Sequence, residues 1–507
     1  MSGNAILYLA TFVANAAILV FEIAGARLLA PYLGTSVEVW AGTIAVILGS
    51  MAAGYAIGGT VADKYPEKRA LSLVFFCSSI AAFVAWGMRD LIPGLIVGAH
   101  TASITVAAIA TATLLFAPTV IFLAIVSPFI AKFLLTRLDA SARVVGNLNA
   151  IGTVGSIVGA LSAGALLIPL FPLGDIFLGI ALSLLALSLL VSFSHFGKKG
   201  VAALVVFLLG AVISGAVHVG PINSTIIADL GTAYNRIWVL EMPYEGEIVR
   251  AMRTDPFGTQ CGMKVLPDGS VDEKTLAFPY LRAFNDFAHT AFATHDPGHA
   301  LFLGGCNYSY PRVFLQDFTN TQGTVVEIDP GMTKAAKMYF GLSLSDWPTL
   351  SVAHEDARRF LTHGTDTYDM VFMDVFGSFS NTPHHLTTEE SFAAVAKRMA
   401  EDGLFLMNII AVREGSASTF ASSLLASLAS AFPNAAIYYD PVYYKTLPQN
   451  LILAASKDRE LPDMVKNATG DVVLQKLDPS LLAASVRLTD DFAPVEALTH
   501  SLRERVF

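Results

Sequence analysis

The chain has 507 residues, of which 54% are hydrophobic and only 14% are charged, whereas soluble domains carry roughly 25% charged residues; an ordinary soluble protein is therefore excluded. Residues 1–220 hold 10 Lys/Arg and 7 Asp/Glu, and residues 221–507 hold 22 Lys/Arg and 34 Asp/Glu. The net charge of −9 contains no basic run, which excludes nucleic acid as a partner because phosphate binding needs Lys/Arg clusters.

This charge split predicts a chain that lies first in a lipid bilayer and then in water. We expect a transmembrane helical domain over residues 1–220, a β-rich piece with a connecting helix over 221–290, and an α/β Rossmann-like catalytic domain over 291–507. The three cysteines, Cys77, Cys261 and Cys306, have no zinc-binding spacing and predict no disulfide framework.

Seven segments are apolar over about the 20 residues that a membrane span needs. The first lacks a basic start, so we interpret it as a span and not as a signal peptide. The stretch 91–135 is too long for one crossing and contains Pro118 and Pro128, which predicts a kinked span plus an interfacial or re-entrant piece. The sequence therefore predicts seven or eight spans, at roughly 5–25, 39–62, 70–88, 102–126, 147–170, 174–194 and 200–219.

Small residues recur at helical spacing in two of these segments, at Gly54 and Gly58 and again at Gly152, Ser156 and Gly159. Because small side chains let helices approach closely in lipid, they predict tight packing. Basic residues follow the second, fourth and sixth segments, and the positive-inside rule places those loops in the cytoplasm. Seven spans would then put the C-terminal domain outside, whereas an eighth crossing would bring it inside.

The C-terminal half alternates apolar strands with helices. Residues 237–240 and 247–250 are predicted as a hairpin with its turn at 243–246, followed by a helix over 275–293. The alternation that follows predicts a doubly wound, mostly parallel sheet, since βα units wind in this way. Its predicted strands are 299–303, 324–328, 350–353, 370–373, 404–410, 435–439 and 451–455.

Four residues at the carboxyl ends of successive strands suggest a ligand site, because doubly wound sheets bind ligands at that edge. Gly304 begins a glycine turn after the first strand, and Glu327, Asp356 and Asp374 end the next three. An acidic residue on the second strand can accept both ribose hydroxyls, as for NAD or S-adenosylmethionine. The glycine turn is not G-x-G-x-x-G, which favours S-adenosylmethionine.

Six motifs lie at residues 234–237 (YNRI), 304–309 (GGCNYS), 326–330 (VEIDP), 356–357 (DA), 368–374 (YDMVFMD) and 385–389 (HLTTE). They resemble Y-Q-x-I, G-G-G-D-G-G, V-E-I-D-P, D-A, Y-D-V-I-x-x-D and L-x-T-x-E/F of the spermidine synthases, the polyamine aminopropyltransferases, over about residues 234–455. Residues 27–32 (RLLAPY) and 127–129 (SPF) are similar to the bacterial members that carry an N-terminal membrane domain.

This resemblance implies transfer of an aminopropyl group from decarboxylated S-adenosylmethionine to an amine, with release of methylthioadenosine and without a metal. It implies Asp374 as the catalytic acceptor of a proton or hydrogen bond from the attacking nitrogen, with Tyr234 as a helper, and it implies that Glu327 and Asp356 hold ribose and adenine. The remaining substrate-binding residues that the matched motifs imply are Asn235, Gly304, Gly305, Asn307, Tyr308, Asp329 and Ala357.

Three departures from the family pattern change the expected substrate. Asn307 stands where the family has the aspartate that grips the aminopropyl ammonium, Asn235 replaces a glutamine, and residues 375–378 (VFGS) lack a second acid. An amide does not repel a carboxylate, so intact S-adenosylmethionine is a candidate substrate. Its own amine could attack its γ-carbon and give azetidine-2-carboxylate, or its carboxylate could attack and give homoserine lactone.

Four functions remain open from the sequence: this cleavage of S-adenosylmethionine, aminopropyl transfer to putrescine, methyl transfer, and a transporter or sensor with an adenosyl-ligand domain. Because S-adenosylmethionine is made in the cytosol, we expect a multi-pass protein of the inner (plasma) membrane whose C-terminal domain is cytoplasmic. The expected partners are a small-molecule substrate, the lipid bilayer and a second copy of the chain in a homo-oligomer.

Overall fold

A computed structural model of the chain describes residues 3–98, 104–135, 141–191, 225–255, 258–375, 383–443, 445 and 447–499. It divides into two compact units: one comprises the residues up to Gly220 together with Gly231–Ala233, and the other comprises Pro221–Leu230 and Tyr234–Phe507. The predicted division into three domains, 1–220, 221–290 and 291–507, stays a prediction.

Up to Val191, the described residues of the first unit form helices joined by short connections. Its α-helices are α1 (Gly3–Leu33), α2 (Val37–Lys64), α3 (Lys68–Met88), α4 (Leu91–Gly98), α5 (Ile104–Leu115), α6 (Ala117–Leu134), α7 (Ser141–Ser162), α8 (Ile168–Leu170) and α9 (Leu173–Val191). A π-helical turn, Ala163–Leu167, joins α7 to α8. Six described helices are long and apolar enough to cross a membrane: Ala5–Leu33, Val37–Lys64, Lys68–Met88, Ala117–Leu134, Ala142–Leu170 and Leu173–Val191.

The predicted span at 102–126 is wrong as a single segment. A turn at Phe116 separates α5 from α6, although the Phe116 N–H still bonds to Ala112 O at 2.8 Å. Pro118 lies in the first turn of α6, a position that tolerates proline because the first N–H groups of a helix have no partner within it. The region 91–135 thus holds two short helices and one long one, and the candidate at 200–219 lies outside the described residues.

Glycines let the long helices pack closely, as their spacing predicts. A Cβ added at Gly54 of α2 would lie 2.5 Å from the carbonyl oxygen of Ile121 on α6. On α7, a Cβ at Gly155 would lie 2.4 Å from the carbonyl oxygen of Phe12 on α1. Any larger residue would force these backbones apart, which would remove the packing contacts that hold helices together in lipid.

The second unit opens with a four-stranded sheet in the order β1-β2-β3-β4. Its strands are β1 (Thr225–Gly231), β2 (Arg236–Tyr244), β3 (Glu247–Arg253) and β4 (Cys261–Lys264). Glu245 and Gly246 both have positive φ, 49° and 82°, and they join β2 to β3 in the two-residue turn that suits strand twist. The predicted helix follows as α10 (Pro279–Ala291).

The remaining described strands form a nine-stranded sheet in the order β12-β13-β10-β11-β9-β8-β5-β6-β7. They are β5 (His299–Leu303), β6 (Gln322–Val326), β7 (Leu350–Ala353), β8 (Tyr368–Met373), β9 (Met399–Ala411), β10 (Asn434–Tyr439), β11 (Gln449–Ser456), β12 (Met464–Lys466) and β13 (Val472–Lys476). The helices between them are α11 (Ser309–Asp317), α12 (Pro330–Tyr339), α13 (Ala357–His363), α14 (Glu389–Lys397) and α15 (Thr419–Ala429). Short 3₁₀ turns cover Leu344–Asp346, His384–Leu386, Ser416–Ser418 and Pro479–Leu481.

The sheet is mixed, although the sequence predicts a mostly parallel one. Strands β5 to β9 are parallel, but β11, β10, β13 and β12 pair antiparallel along one edge. β11, β12 and β13 each follow a short connection, which suffices for a hairpin, whereas a parallel partner needs a long crossover. Alternating residues of β5 face two separate cores, Ala300 and Phe302 on one side and Leu301 and Leu303 on the other, so helices cover both faces.

Candidate active site

A cavity of about 300 Å³ lies at the carboxyl edge of the parallel strands, where ligands bind in doubly wound sheets. It contains most of the residues predicted from the sequence: Tyr234, Asn235, Gly304, Glu327, Asp356, Ala357 and Asp374. Gly305 and Asn307 line a smaller neighbouring cavity of about 40 Å³, to which Gly304 and Asp374 also contribute. Asp329 and Tyr308 are not among the described residues that line either cavity.

The turn after β5 needs glycine at its first position. Gly304 has φ +96°, and a Cβ there would lie 2.3 Å from the carbonyl oxygen of Asp374. The Gly304 N–H donates to Val326 O at 2.9 Å. The loop therefore lies directly against the end of β8, because no side chain separates them.

Glu327 organises this turn from the end of β6. Its Oε2 accepts hydrogen bonds from the N–H groups of Gly305 (2.9 Å) and Cys306 (3.3 Å), and its Oε1 accepts from the N–H of Asp329 (2.9 Å). Burial raises the pKa of Glu327, and the three backbone hydrogen bonds oppose that rise. The carboxylate thus holds the loop and also lines the larger cavity.

Asp374 follows β8 and is held at both oxygens. Tyr280 Oη lies 3.0 Å from Asp374 Oδ2, and Asn408 Nδ2 donates to Oδ1 at 3.0 Å. Asn408 is itself oriented by Asn450, whose Nδ2 donates to Asn408 Oδ1 at 2.9 Å. Tyr280 on α10 and Asn408 on β9 therefore hold the Asp374 carboxylate in place at the cavity.

Desolvation raises the pKa of Asp374 above the ordinary aspartate value, and the hydrogen bonds from Asn408 and Tyr280 lower it. Burial, and then the charge of Asp374, raise the pKa of the Tyr280 hydroxyl, which stays protonated. A carboxylate of raised pKa is a stronger base near neutral pH than an exposed one. The arrangement is thus chemically suited to taking a proton.

Sequence reasoning missed Tyr280, Asn408 and Asn450. Tyr280 lies in the first turn of α10, and Asn408 is a polar residue inside the otherwise apolar run 404–411 of β9. Buried polar side chains generally have a hydrogen-bond partner, so the asparagine within β9 was a usable signal. Nothing in the sequence pairs either residue with Asp374, because 94 and 34 residues separate them from it.

Two predicted ligand-binding acids also cap helices. Asp329 Oδ1 accepts from Gly331 N at 2.8 Å at the start of α12, and Asp356 Oδ1 accepts from Arg359 N at 2.9 Å at the start of α13. Asn235 Nδ2 donates to Asp329 Oδ2 at 3.1 Å, and Asp356 Oδ2 lies 3.2 Å from His385 Nε2. The structure therefore ties Asp329 into local structure, while Asp356 both caps its helix and lines the cavity.

Tyr308 is fully buried, and its hydroxyl lies 2.7 Å from Thr333 Oγ1. It occupies the left-handed region, with φ 62°, just before α11. This placement makes it a support of the loop: its ring lies under Gly305, where a Cβ would approach it to 3.0 Å.

Asn307 offers a free donor in the smaller cavity. Its Oδ1 accepts from Ser309 N at 3.1 Å, which identifies Nδ2 as the opposite end of the amide. Nδ2 is buried without a hydrogen-bond partner among the described residues, as is Tyr310 Oη on the same cavity. Because unpaired buried polar atoms are costly, these two atoms are suited to a bound polar group.

The prediction that the cysteines form no disulfide is wrong. Cys261, the first residue of β4, is bonded to Cys306 in the glycine turn, with their Cα atoms 6.3 Å apart and 45 residues between them in sequence. The spacing of the cysteines in the sequence does not indicate this pair, because β4 and the turn after β5 come together only through tertiary packing. Over the described residues, no three His, Cys, Asp or Glu side chains group closely enough to hold a metal ion.

Fold and cavity together define a Rossmann-like domain with acidic side chains after three strands of one sheet, β6, β7 and β8. Residues 283–465 match the family model described as the spermine/spermidine synthase domain, which confirms the resemblance predicted from the sequence. This part of the chain therefore resembles the spermidine synthase family, and the curated proteins that it matches are named polyamine aminopropyltransferases.

Two curated relatives illustrate the match. The polyamine aminopropyltransferase of Hydrogenobaculum sp. (strain Y04AAS1) is 27% identical over 122 residues, covering 23% of this chain and 41% of that one. Polyamine aminopropyltransferase 1 of Aquifex aeolicus (strain VF5) is 28% identical over 156 residues, covering 29% and 52%. The chain thus spans about half the length of these relatives, or less.

Among solved structures, a probable spermidine synthase from Corynebacterium glutamicum aligns with a TM-score of 0.38 at 21% identity, over 49% of this chain and 97% of that one.

Proposed function

We propose that the chain is a membrane-integrated enzyme that cleaves the aminopropyl-side C–S bond of intact S-adenosylmethionine and releases methylthioadenosine. In this proposal the substrate's α-amine attacks its own γ-carbon: a C–N bond forms, the C–S bond breaks, and its electron pair stays on the sulfur that leaves. The proton lost by the nitrogen passes to Asp374. The second product is the four-membered ring azetidine-2-carboxylate.

The observation that carries this proposal is the unpaired Nδ2 of Asn307 beside Asp374. A neutral donor there suits the α-carboxylate of an intact substrate, whereas an aspartate would repel it. Glu327 and Asp356, at neighbouring strand ends, face the larger cavity, in which the ribose and adenine would lie. Tyr234, half-exposed on the same cavity, would help orient the amine.

Aminopropyl transfer from decarboxylated S-adenosylmethionine to putrescine is the second candidate, because the curated relatives carry that class of activity in their names. It needs carboxylates for a polyamine. Asp374 and Glu327 meet part of that need, but both already accept hydrogen bonds from the protein. The asparagine at 307 favours the intact substrate over this alternative.

The test is mass spectrometry of the products from S-adenosylmethionine and from its decarboxylated form, each with and without putrescine. We expect methylthioadenosine and azetidine-2-carboxylate from the intact substrate without putrescine. Asn307→Asp should shift the preference toward the decarboxylated substrate, because the new carboxylate repels the α-carboxylate. Asp374→Asn serves as the control for spontaneous breakdown of the substrate.

Four outcomes would replace the proposal. S-adenosylhomocysteine would identify a methyltransferase, and homoserine lactone above the spontaneous level would identify the carboxylate as nucleophile. Turnover only with the decarboxylated substrate and putrescine would identify a spermidine synthase. Binding without any product would leave the transporter or sensor as the function.

The six long apolar helices support a multi-pass protein of the inner membrane. We propose that the C-terminal unit lies in the cytoplasm, where S-adenosylmethionine is made. A C-terminal reporter that is active on only one side of the membrane tests this, and activity of a periplasm-specific reporter would contradict it.

Tyr280→Phe should move the acid limb of the pH–rate profile to higher pH. The Tyr280 hydrogen bond lowers the pKa of Asp374; losing it raises that pKa further, so the basic form disappears at a higher pH as the solution is acidified. A hydrogen bond to a charged group contributes about 1.5–3 kcal/mol, which corresponds to a shift of roughly one pH unit or more.

The profile of kcat/KM against pH is the measurement for this variant. Tyr438→Phe is its control, because the Tyr438 hydroxyl donates to Pro462 O and Tyr438 is not among the described residues that line either cavity. An unshifted acid limb in Tyr280→Phe would show that Asp374 is not the group that titrates in catalysis.

A further inference from the structure

The Cys261–Cys306 disulfide lies in the wall of the candidate active site. Cys306 lines the larger cavity together with Asp374 and Glu327, and both cysteines line the smaller cavity with Asp374 and Asn307. The bond ties the glycine turn after β5 to the edge of the four-stranded sheet. Because the disulfide lies beside Asp374, its redox state can affect the chemistry of the site as well as the position of the turn.

The two sulfurs differ in accessibility. Cys261 is buried, with only 3% of its surface exposed, whereas Cys306 is partly exposed. Cys306 also has a positive φ of 45° and donates its N–H to Glu327, so its backbone is fixed at the cavity. If the bond were reduced, Cys306 would be the thiol that faces a bound ligand.

A thiol at this place would compete with the reaction proposed above, on which this inference rests. A thiolate is intrinsically a stronger nucleophile than a carboxylate or a hydroxyl, and a positively charged sulfonium nearby would favour the thiolate over the thiol. In the disulfide neither sulfur is a thiolate. While the disulfide is intact, Cys306 therefore has no thiolate that could attack the electrophilic γ-carbon of the substrate.

We propose that the disulfide protects the site from alkylation by its own substrate and that Cys306 becomes an alkylation site when a thiol reductant opens the bond. Reduction by thiol–disulfide exchange leaves two thiols on the chain and one disulfide on the reductant. The Cys306 thiolate then attacks the γ-carbon of S-adenosylmethionine: an S–C bond forms, the sulfonium C–S bond breaks with its electron pair on the departing sulfur, and methylthioadenosine leaves.

The product is a thioether on Cys306, which further exchange with thiols cannot reverse. The cytoplasm, where we place the C-terminal unit, is a reducing compartment in which disulfides are rare, so the redox state of this pair would set the fraction of chains that remain active. Oxidising conditions keep the enzyme active, and reducing conditions with substrate present inactivate it.

Two serine variants separate the thiol from the lost cross-link. Cys261→Ser and Cys306→Ser both remove the disulfide, but only Cys261→Ser leaves a thiol at the cavity. Any effect of a loosened turn is shared by the two, and Cys77, the remaining cysteine, lies on α3 of the helical unit in both. The probe is S-adenosylmethionine, added to each purified full-length protein without reductant.

Intact-mass and peptide mapping should find one 3-amino-3-carboxypropyl group on Cys306 of Cys261→Ser, accumulating as activity is lost. Oxidised wild-type protein and Cys306→Ser should stay unlabelled, and wild-type protein reduced with dithiothreitol should become labelled at Cys306. Absence of the adduct from both Cys261→Ser and reduced wild type, with methylthioadenosine still bound, would overturn the inference, as would equal labelling of Cys261 in Cys306→Ser.

The proposed function fails separately, through absence of methylthioadenosine release by oxidised wild-type protein. Labelling of Cys261→Ser needs only a bound substrate, so it can succeed where turnover fails.

Discussion

Asp374→Asn should lower the rate of methylthioadenosine release by about 10²- to 10⁴-fold, the usual contribution of a positioned general base. An amide cannot take the proton that the attacking nitrogen loses. Binding of methylthioadenosine should persist, because Glu327 and Asp356 keep their places in the larger cavity.

The fold should tolerate this substitution. Asn408 Nδ2 would still have an oxygen acceptor, and the Tyr280 hydroxyl can donate to Gln260 O, 3.2 Å away, while accepting from the new amide. Replacing the carboxylate removes a buried charge whose pKa is raised, that is, one whose ionised form is disfavoured by the fold. We therefore expect no loss of thermal stability near neutral pH.

Asp369→Asn is the matched control. Asp369 lies on the same strand, β8, but near its amino end, where Oδ2 accepts from His299 N at 2.9 Å. The Asp369→Asn variant should release methylthioadenosine at the wild-type rate. Turnover by Asp374→Asn at the wild-type rate would show that Asp374 is not the base. It would favour attack by the substrate's own carboxylate, which needs no base.

Gly304→Ala should disrupt both stability and catalysis. Its φ of +96° disfavours any Cβ, at a cost of about 1–2 kcal/mol, and the Cβ would lie 2.3 Å from the carbonyl oxygen of Asp374. Relieving that overlap requires moving the glycine turn or the end of β8, which adds about 1–3 kcal/mol. Moving the end of β8 displaces Asp374 from Tyr280 and Asn408, and moving the turn displaces Asn307 in the smaller cavity.

Gly246→Ala isolates the backbone contribution. Gly246 has φ +82° in the β2–β3 turn, and a Cβ there has nothing within 4 Å, so this variant carries the conformational cost without the overlap. Thermal unfolding and methylthioadenosine release measure the pair. Equal effects of the two substitutions would show that the close approach of the turn to Asp374 has no consequence of its own.

Several strands of the C-terminal unit were predictable because a buried strand is a run of apolar residues. Residues 300–303 of β5 are all apolar and Gly304 follows them, while Glu327 follows β6 and Asp374 follows β8. The short edge strands, Met464–Lys466 and Val472–Lys476, were missed because edge strands bury less and leave little pattern.

The candidate site divides in the same way. Glu327, Asp356 and Asp374 were predictable, since each ends or follows a strand at one edge of the sheet. Tyr280, Asn408 and the Cys261–Cys306 bond were not, because each reaches its partner across a distance in sequence that only the packing of α10, β9 and the small sheet closes.

The sequence by itself determined the division of charge, the apolar helices, the alternation of strands and helices, and the absence of an acid at position 307, because each is a property of neighbouring residues and needs no fold to be read. Only the tertiary structure decided which groups each charged side chain contacts. It placed Asp374 between Tyr280 and Asn408 and made caps of Asp329 and Asp356. It also left Asn307 Nδ2 without a hydrogen-bond partner among the described residues and joined two cysteines that the spacing rules kept apart. Desolvation and hydrogen bonding act through space, so the chemistry of these side chains is a property of the fold.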